Sequence, residues 1–452
     1  MKMIRDNVLL YYPKTHHEEN YRFYWIPYSL LAVSTFISQK NLDIKIIDGN
    51  TDVLIRNKNL VKDIIEGSKI VGISSMIGKQ ILDGIEFAKY VREINPNATI
   101  VWGGYGPTLL PDLFINHKYV DVVIQGQGEL TFLELCNKLF LDRSLKSIKG
   151  IIYKTNGKVI YNPKREFISL NKRPPYPFSL INVQQYIRND PEINTRTINY
   201  VSSQGCPFRC GFCSEVAMYR NKWLYLSGER MIDDIKYLYD KYQINGIKFY
   251  DPTFFANKPR VFQFIDLLEK SNIEIRWAAS AHPNNLSNFN NKEWRALKRS
   301  GCSRILIGAE SGDQNMLNII NKRTTVDIIR KVAKKLSQFG IIGSFTFVVG
   351  FPGESSSSIE KTIKFAEELL SINDKFEAKI HFYLPYPGTP LYKKALSYGF
   401  KPPMTLEEWG CYDYYNIETP WVDKNFYEEI RKFNEEYCPY VQKILTGDKN
   451  DA

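Results

Sequence analysis

Short apolar runs of strand length alternate with longer segments of helical period along most of the chain. Residues 7–12, Asp43–Asp48, Ile70–Ser75, Ala98–Gly104 and Val120–Gln125 read as strands, the first of them fully buried. Between them Ile26–Ser38, Ile81–Ile94 and Glu129–Leu139 read as helices, the second closed by Pro96, and Val53–Glu66 is amphipathic. Five such alternations predict a doubly wound parallel sheet, a fold that takes its ligand at the carboxyl ends of its strands. The pattern then changes. Lys149–Tyr161 reads as a hairpin turning at Asn156-Gly157, and Pro163, Pro174, Pro175 and Pro177 follow it. This predicts a linker with a small β element. From about residue 195 the alternation resumes, with strands at Thr197–Ser203, Ile247–Asp251, Glu274–Ser280, Arg304–Glu310, Gly343–Val349 and Phe376–Leu384. Helices are expected between them, at Gly228–Tyr242, from Pro259, at 291–300, up to Phe339 and at 356–371. Six β/α units predict a partial barrel, with its chemistry at the C-terminal ends of the strands. The last stretch is aromatic, with Trp409, Tyr412, Tyr414, Tyr415, Trp421 and Phe426, and ends in an expected helix from Lys424 to Leu445. The expected boundaries are therefore 1–145, a linker 146–194, a barrel 195–390 and a capping region 391–452.

Composition narrows the class. The chain has 452 residues, 44% hydrophobic and 14% aromatic, which suits two or three globular domains and excludes a disordered bulk. No apolar run reaches the length of a membrane span and no signal peptide is visible, so a cytoplasmic protein is expected. Seven cysteines in so long a chain make no disulfide framework. Cys136, Cys302, Cys411 and Cys438 are scattered and read as ordinary thiols. The formal charge is +11, but the lysines are spread along helical segments rather than clustered. That describes a solvated basic surface, not a nucleic-acid site, and leaves room for an anionic substrate or an acidic electron donor.

The remaining three cysteines carry the chemistry. Cys206, Cys210 and Cys213 stand at C-x3-C-x2-C spacing on a loop leaving the strand Thr197–Ser203. Thiolates this close bind zinc or an iron–sulfur cluster. A closed zinc site or a fully ligated cubane needs four protein ligands, and no fourth Cys or His is nearby. Either a distant residue completes a zinc knuckle, or one iron stays open to a non-protein ligand. Polar residues also gather at the other strand ends: Asp251, Ser280, His282, Glu310-Ser311 and Glu354. His381 and Tyr383 are two apart and share a face, which makes them candidate catalytic residues if that face is inward.

The cysteine motif, with Phe212 before its last cysteine, resembles that of the radical S-adenosylmethionine (SAM) enzymes. Gly-Ala-Glu-Ser-Gly at 308–312, Gly-Phe-Pro-Gly-Glu at 350–354 and Pro-Gly-Thr-Pro-Leu-Tyr at 387–392 resemble the SAM-embracing segments of the cobalamin-linked group of that family. The resemblance implies a [4Fe–4S] cluster on Cys206, Cys210 and Cys213. It implies SAM contacts from Phe212, from Glu310 and Ser311 (ribose or amino group) and from Lys322 (carboxylate), with the helix start at Ser227–Arg230 in the place of the amino-group-binding stretch. In the first domain, Ser74-Ser75, Gly103-Gly104-Tyr105-Gly106-Pro107-Thr108 and Gly126-Gln127-Gly128-Glu129 resemble segments of a cobalamin-binding domain. The family's usual G-G-x-H-x-T and G-E-G-E read here as Gly-Gly-Tyr-Gly-Pro-Thr and Gly-Gln-Gly-Glu. Ser74, Ser75, Gly103, Gly104, Gly106, Thr108, Gly126, Gly128 and Glu129 are the implied cobalamin contacts. His16, His17 and His117 fit no Asp-x-His-x-x-Gly motif, so no histidine is expected below the cobalt, and side chains near Met76 are candidates for that side.

The fold class implied is α/β: an N-terminal Rossmann-like cobalamin-binding domain, a partial (β/α)6 radical SAM barrel and a short C-terminal helical region. The implied function is methylation of an unactivated carbon of a small-molecule substrate, through a 5′-deoxyadenosyl radical and methylcobalamin. An external donor such as a flavodoxin or ferredoxin would supply electrons. A non-methylating cyclase, rearrangement or group-transfer enzyme with the same cofactors, and a zinc-binding scaffold, are the alternatives.

Overall fold

The computed structural model describes residues 7–15, 24–40, 42–51, 58–190, 192–193, 195–412 and 419–437. His16, His17, Tyr414, Tyr415, Cys438 and the expected helix beyond residue 437 lie outside the described residues. The chain forms two compact units. One holds residues 27–185 and 403–413 with the N-terminal strand, and the other holds 20–26, 186–402 and 414–452.

The first unit is built on one seven-stranded sheet. Its strands are β1 (Asn7–Tyr12), β2 (Asp43–Asp48), β3 (Ile70–Ser74), β4 (Thr99–Gly103), β5 (Val122–Ile124), β6 (Ile151–Thr155) and β7 (Lys158–Tyr161). They lie in the order β2-β1-β3-β4-β5-β6-β7. β1 to β5 are parallel, and their apolar runs are buried: Val8, Leu9, Val71, Ile100, Trp102 and Val123 are closed from solvent. The strand order reverses beside β1 and β3, which marks the end where such a sheet takes its ligand. The hairpin expected in a linker is instead part of this sheet. β6 pairs antiparallel with β5 and covers an edge that would otherwise be exposed. Its two turn residues are left-handed, Asn156 at φ 47° and Gly157 at φ 70°, as a two-residue hairpin requires. The capping region also divides. Residues 403–412 return to the first unit, where the helix Leu406–Gly410 opens on a Thr405–Glu408 capping box. There Gly78 donates its N–H to the Trp409 carbonyl at 3.2 Å.

The second unit is an open half-barrel. Its strands are β8 (Arg188–Asn189), β9 (Arg196–Tyr200), the short ribbon β10 (Ser203–Gly205) and β11 (Trp223–Tyr225), β12 (Gly246–Phe249), β13 (Arg276–Ala281), β14 (Cys302–Glu310), β15 (Ile342–Val349) and β16 (Glu377–Phe382). The main sheet runs β16-β15-β14-β13-β12-β9-β8, parallel except for the edge strand β8. Helices cover its outer face, and Phe249, Phe254, Phe264 and Trp277 make an aromatic core there. The free edge of β16 is covered by the helix Lys424–Tyr437. Asn434 both accepts from the Ile380 N–H at 2.9 Å and donates to the Ile380 carbonyl at 2.8 Å.

Strand register settles which face is inward. β15 alternates buried Gly343, Phe345, Phe347 and Val349 with half-buried Ile342, Ser344, Thr346 and Val348, so the second set faces the concave side. Thr346 lies opposite Gly308 and Lys379, and Val348 lies opposite His381. The expected helix at Ile26–Ser38 begins at Tyr28 because Ile26 is committed elsewhere. Its N–H bonds to Asn199 Oδ1 on β9 at 3.0 Å, so Tyr24–Ile26 belong to the half-barrel.

Candidate active site

The cysteine loop is held between β10 and β11, which pair antiparallel on either side of it. Gly205, just before Cys206, has φ 77°, and a Cβ there would lie 2.2 Å from the Lys222 carbonyl, so only glycine fits. Further bonds fix the loop's path. Gly211 donates to the Ile320 carbonyl at 2.7 Å, Leu391 donates to the Gly211 carbonyl at 2.9 Å, and Asn321 Nδ2 donates to the Arg209 carbonyl at 2.7 Å. Upstream, a buried clamp sets the loop's start. Asp251, at the end of β12, accepts from the N–H groups of Ser202 at 2.7 Å and Ser203 at 3.1 Å. Arg260 donates to the Ser202 hydroxyl and, at 2.7 Å, to the Leu226 carbonyl. Burial pushes the Asp251 carboxyl up, while Arg260 and the serine donors pull against it. The sequence marked Asp251 only as a polar strand end; Arg260 and Ser202 carried no local signal.

Burial raises all three thiols. Cys206 is pushed up to about 11, and Cys210 and Cys213 are raised as well. The charge of Cys210 adds to the rise at Cys206, and those of Cys206 and Cys210 add to the rise at Cys213. Among the described residues, no trio of His, Cys, Asp and Glu is already closed around one point. The donor set nevertheless fits an iron–sulfur cluster. It consists of three soft ligands, sheltered so that their thiolate forms are favoured only when a metal takes the charge.

Beside them sits a buried ion pair. Lys322 Nζ lies 2.8 Å from Glu310 Oε1, with both side chains at or below one-tenth exposed. Burial pulls the lysine down, but Glu310, Cys210 and Cys213 outweigh it and hold Lys322 above its ordinary value. Glu310 is left-handed, at φ 65°, just past a register shift in β14. That turn lays its carboxylate over Gly308, where a Cβ would meet Glu310 Oε1 at 2.5 Å and Lys322 Nζ at 3.0 Å. Lys322 is thus a buried cation.

The other expected SAM residues lie nearby in different roles. Phe212 packs on Phe351 at 5.5 Å between ring centroids, and Phe351 on Tyr383 at 5.2 Å. Ser311 is fully buried. Its hydroxyl bonds to Thr362 Oγ1 at 3.1 Å and accepts from the Asp313 N–H at 3.1 Å, which commits it to the neighbouring helix. Ser227 is the N-cap of Gly228–Tyr242 and accepts from Arg230 N–H. Glu354 closes its own turn by accepting from Gly350 and Phe351 N–H. His282 supports the cysteine loop. Phe208 stacks on it at 3.7 Å, its Nδ1 accepts from Asn284 N–H, and its Nε2 therefore donates to the Lys322 carbonyl at 2.8 Å. Burial and Lys322 lower its pKa to about 3, so it stays neutral. His381 is half-buried on the concave face and also lowered to about 3 by burial and Lys379. Tyr383 is buried and does not share that exposure.

In the first unit the expected cobalamin residues meet at the carboxyl ends of β3, β4 and β5. Ser75 N–H donates to the Gly103 carbonyl at 2.9 Å and Gly106 N–H to the Ser75 carbonyl at 2.9 Å. Thr108 Oγ1 donates to the Gly104 carbonyl and accepts from Gly126 N–H, sewing two loops together. Ser74 bonds to Ser29. Gly104, at φ 104°, could not carry a Cβ, which would lie 2.7 Å from the Ser75 carbonyl. Gly103 and Gly126 differ: a Cβ there would meet nothing nearer than 3.8 Å, so packing within the protein leaves that space open. A cradle with such room fits a bulky flat ligand. Gly128 caps the helix Glu129–Phe140, and the Glu129 carboxylate is taken by buried Arg173 at 3.3 Å. Gln127 accounts for one departure from the family pattern. Its amide accepts from Ile168 N–H at 2.8 Å and donates to the Ile168 carbonyl at 3.3 Å, and a glutamate could make only the first bond. Met76 is 56% exposed beside this cradle, and His117 sits 3.5 Å from Glu407, away from it.

A glycine-lined Rossmann-like unit and a half-barrel bearing three thiols and a buried ion pair suit an enzyme with two cofactor sites. Residues 200–366 match the radical SAM superfamily and residues 19–136 the B12 binding domain. An uncharacterized methyltransferase of Pyrococcus horikoshii is 33% identical over 375 residues, covering 82% of this chain and 78% of that protein. The anaerobic magnesium-protoporphyrin IX monomethyl ester cyclase of Rubrivivax gelatinosus is 22% identical, covering 78% of this chain and 63% of the cyclase, so this chain spans less than two thirds of that relative. The solved structure of the radical SAM methyltransferase TsrM from Kitasatospora setae shares the fold at a TM-score of 0.68 and 17% identity, covering 86% of this chain and 76% of that one. The chain belongs to the cobalamin-dependent radical SAM enzymes. Its cofactors are a [4Fe–4S] cluster, SAM and cobalamin, and it requires a reductant. Among the described residues, no helix is long and apolar enough to cross a membrane.

Proposed function

We propose that this enzyme is a C-methyltransferase acting on a small molecule. The observation that carries the reading is its 33% identity to a methyltransferase across most of both chains, spanning both cofactor units. When bound, the cluster would supply the electron that cleaves SAM into methionine and a 5′-deoxyadenosyl radical, and cobalamin would carry the methyl group. Cys206, Cys210 and Cys213 hold the cluster. Glu310 and Lys322 present a carboxylate and an ammonium 2.8 Å apart. The amino and carboxylate groups of SAM carry the complementary charges, so this pair orients it by charge-assisted hydrogen bonds. The Asp251–Arg260–Ser202 clamp positions the loop without touching ligand. Phe212 and Ser311 shape the surrounding wall. His381, neutral at physiological pH, can exchange a hydrogen bond with substrate, while Tyr383 packs behind Phe351. The loops bearing Ser74, Ser75, Gly103, Gly104, Gly106, Thr108, Gly126 and Gly128 seat the corrin, and Glu129 braces them through Arg173. Exposed Arg209, Arg220, Lys222 and Arg323 around the cysteine loop suit an acidic one-electron donor such as a flavodoxin or ferredoxin.

Anaerobic incubation of reduced holoenzyme with methyl-labelled SAM and a metabolite extract tests this. The expected result is label in a new product together with S-adenosylhomocysteine. Formation of 5′-deoxyadenosine with neither would reject methyl transfer and favour a cyclase, the activity of the Rubrivivax relative.

A further inference from the structure

The concave face of the half-barrel can be followed along β14. At its foot Arg304 pairs with Glu377 of β16. Next on the same face is Leu306, 41% exposed although it lies mid-strand between fully buried Ile305 and Ile307. Gly308 follows, and over it lies the Glu310–Lys322 pair beside the thiols. Leu306's neighbours across the sheet are small: Ser280 on β13 and Ser344 on β15. A closed β/α barrel fills this layer with bulky branched side chains. Here the layer is left open, directly between the foot of the barrel and the radical-generating rim.

The side wall is aromatic. Tyr250, which extends β12, is 43% exposed. Trp25 packs on it at 4.5 Å between ring centroids and lies under the Arg188 guanidinium at 3.7 Å. The cations around the foot are already matched. Arg188 pairs with Asp190, Lys248 with Asp190 and Glu192, and Arg304 with Glu377. An anion at this level would compete with carboxylates for every one of them, whereas exposed Leu306 and Tyr250 gain by burial.

We propose that the layer of Leu306, Ser344 and Ser280, walled by Tyr250 and Trp25, binds a flat, apolar, unphosphorylated part of the substrate. The proposal rests on the radical SAM reading above and names the substrate class for that site. Ring systems fit because half-exposed Tyr250, backed by Trp25, offers an aromatic surface and small Ser280 and Ser344 leave a slot beside Leu306.

The test uses holoenzyme loaded with cluster and cobalamin, titrated by calorimetry with naphthol and with naphthyl phosphate, the same ring with and without the anion. Naphthol is expected to bind at least about tenfold more tightly than its phosphate ester, and Leu306→Asp and Tyr250→Ser should each weaken it by about tenfold. Cluster absorption and melting temperature report whether each variant is folded. If Leu306→Asp does not assemble a cluster, Tyr250→Ser at its half-exposed position decides. Equal or tighter binding of the phosphate ester, or naphthol binding unchanged in the folded variants, overturns the proposal. A wild-type protein that assembles no SAM-responsive cluster overturns the reading beneath it, and that result is visible before any naphthol is added.

Discussion

At the carboxyl ends of β3, β4 and β5 the first unit offers backbone and missing side chains. At the carboxyl ends of β9, β12 and β14 the second unit offers thiols, a buried ion pair and a buried clamp. One end is shaped for a large, flat group that must be approached closely and held by many weak contacts. The other is shaped for a small charged group and a metal, which need few contacts of defined chemistry. The difference predicts that damage at the second unit is abrupt and chemical, while damage at the first is graded and steric.

The sharpest break is Cys210→Ala. With two thiols left, the cluster should be lost outright, seen as loss of its anaerobic visible absorption, while cobalamin is retained. Lys322→Met comes next. It strands the Glu310 carboxylate in a site at or below one-tenth exposed, at a cost of about 3–5 kcal/mol. SAM affinity should fall by about a hundredfold or more, read by equilibrium dialysis. Gly205→Ala forces a side chain at φ 77° against the Lys222 carbonyl and should cost about 2 kcal/mol or more. Thermal melting would show it, together with a reduced iron content. Gly104→Ala is the counterpart in the first unit, with φ 104° and the Ser75 carbonyl 2.7 Å from the new Cβ. About 1–3 kcal/mol is expected there, read as weaker cobalamin retention on gel filtration with cluster content unchanged. If Gly104→Ala lost the cluster too, the contrast between the two ends would fail.

A further effect is in pH. His282 and His381 have folded pKa values lowered to about 3, below the ordinary ~6.5 of the unfolded chain. Between those values the unfolded state binds more protons, so stability is present above about 6.5 and falls as pH drops toward 3, by at most about 1.4 kcal/mol per pH unit for each histidine. His282→Gln should flatten the acid side of the melting-temperature profile.

The contrast also explains what could be read from sequence. β1, β3 and β4 are buried on both faces, so their apolar runs gave their positions to within a residue or two. Cys206, Cys210 and Cys213 were legible because thiols at that spacing have few other uses. The burial of Lys322 was not, because only the turn at Glu310 and the bare Gly308 bring it in. Gln127 read as a departure from pattern, and its purpose lies in the backbone of Ile168, 41 residues away. Ile26 read as the first residue of a helix, and the partner that draws it into the half-barrel, Asn199, is 173 residues away. Residues 403–412 read only as part of an aromatic capping region; their short helix with its Thr405–Glu408 capping box, and the body it packs on, appear only in the fold. Local chemistry is written locally; which surface a segment joins depends on distant shape.

The central claim is that the three thiols hold a cluster whose open iron meets SAM beside Glu310 and Lys322. Electron paramagnetic resonance of the reduced, anaerobically reconstituted protein tests it most directly. The account predicts a [4Fe–4S] signal that shifts when SAM is added, with the shift diminished in Lys322→Met. A protein that forms no such cluster, or whose signal is the same with and without SAM, would contradict it.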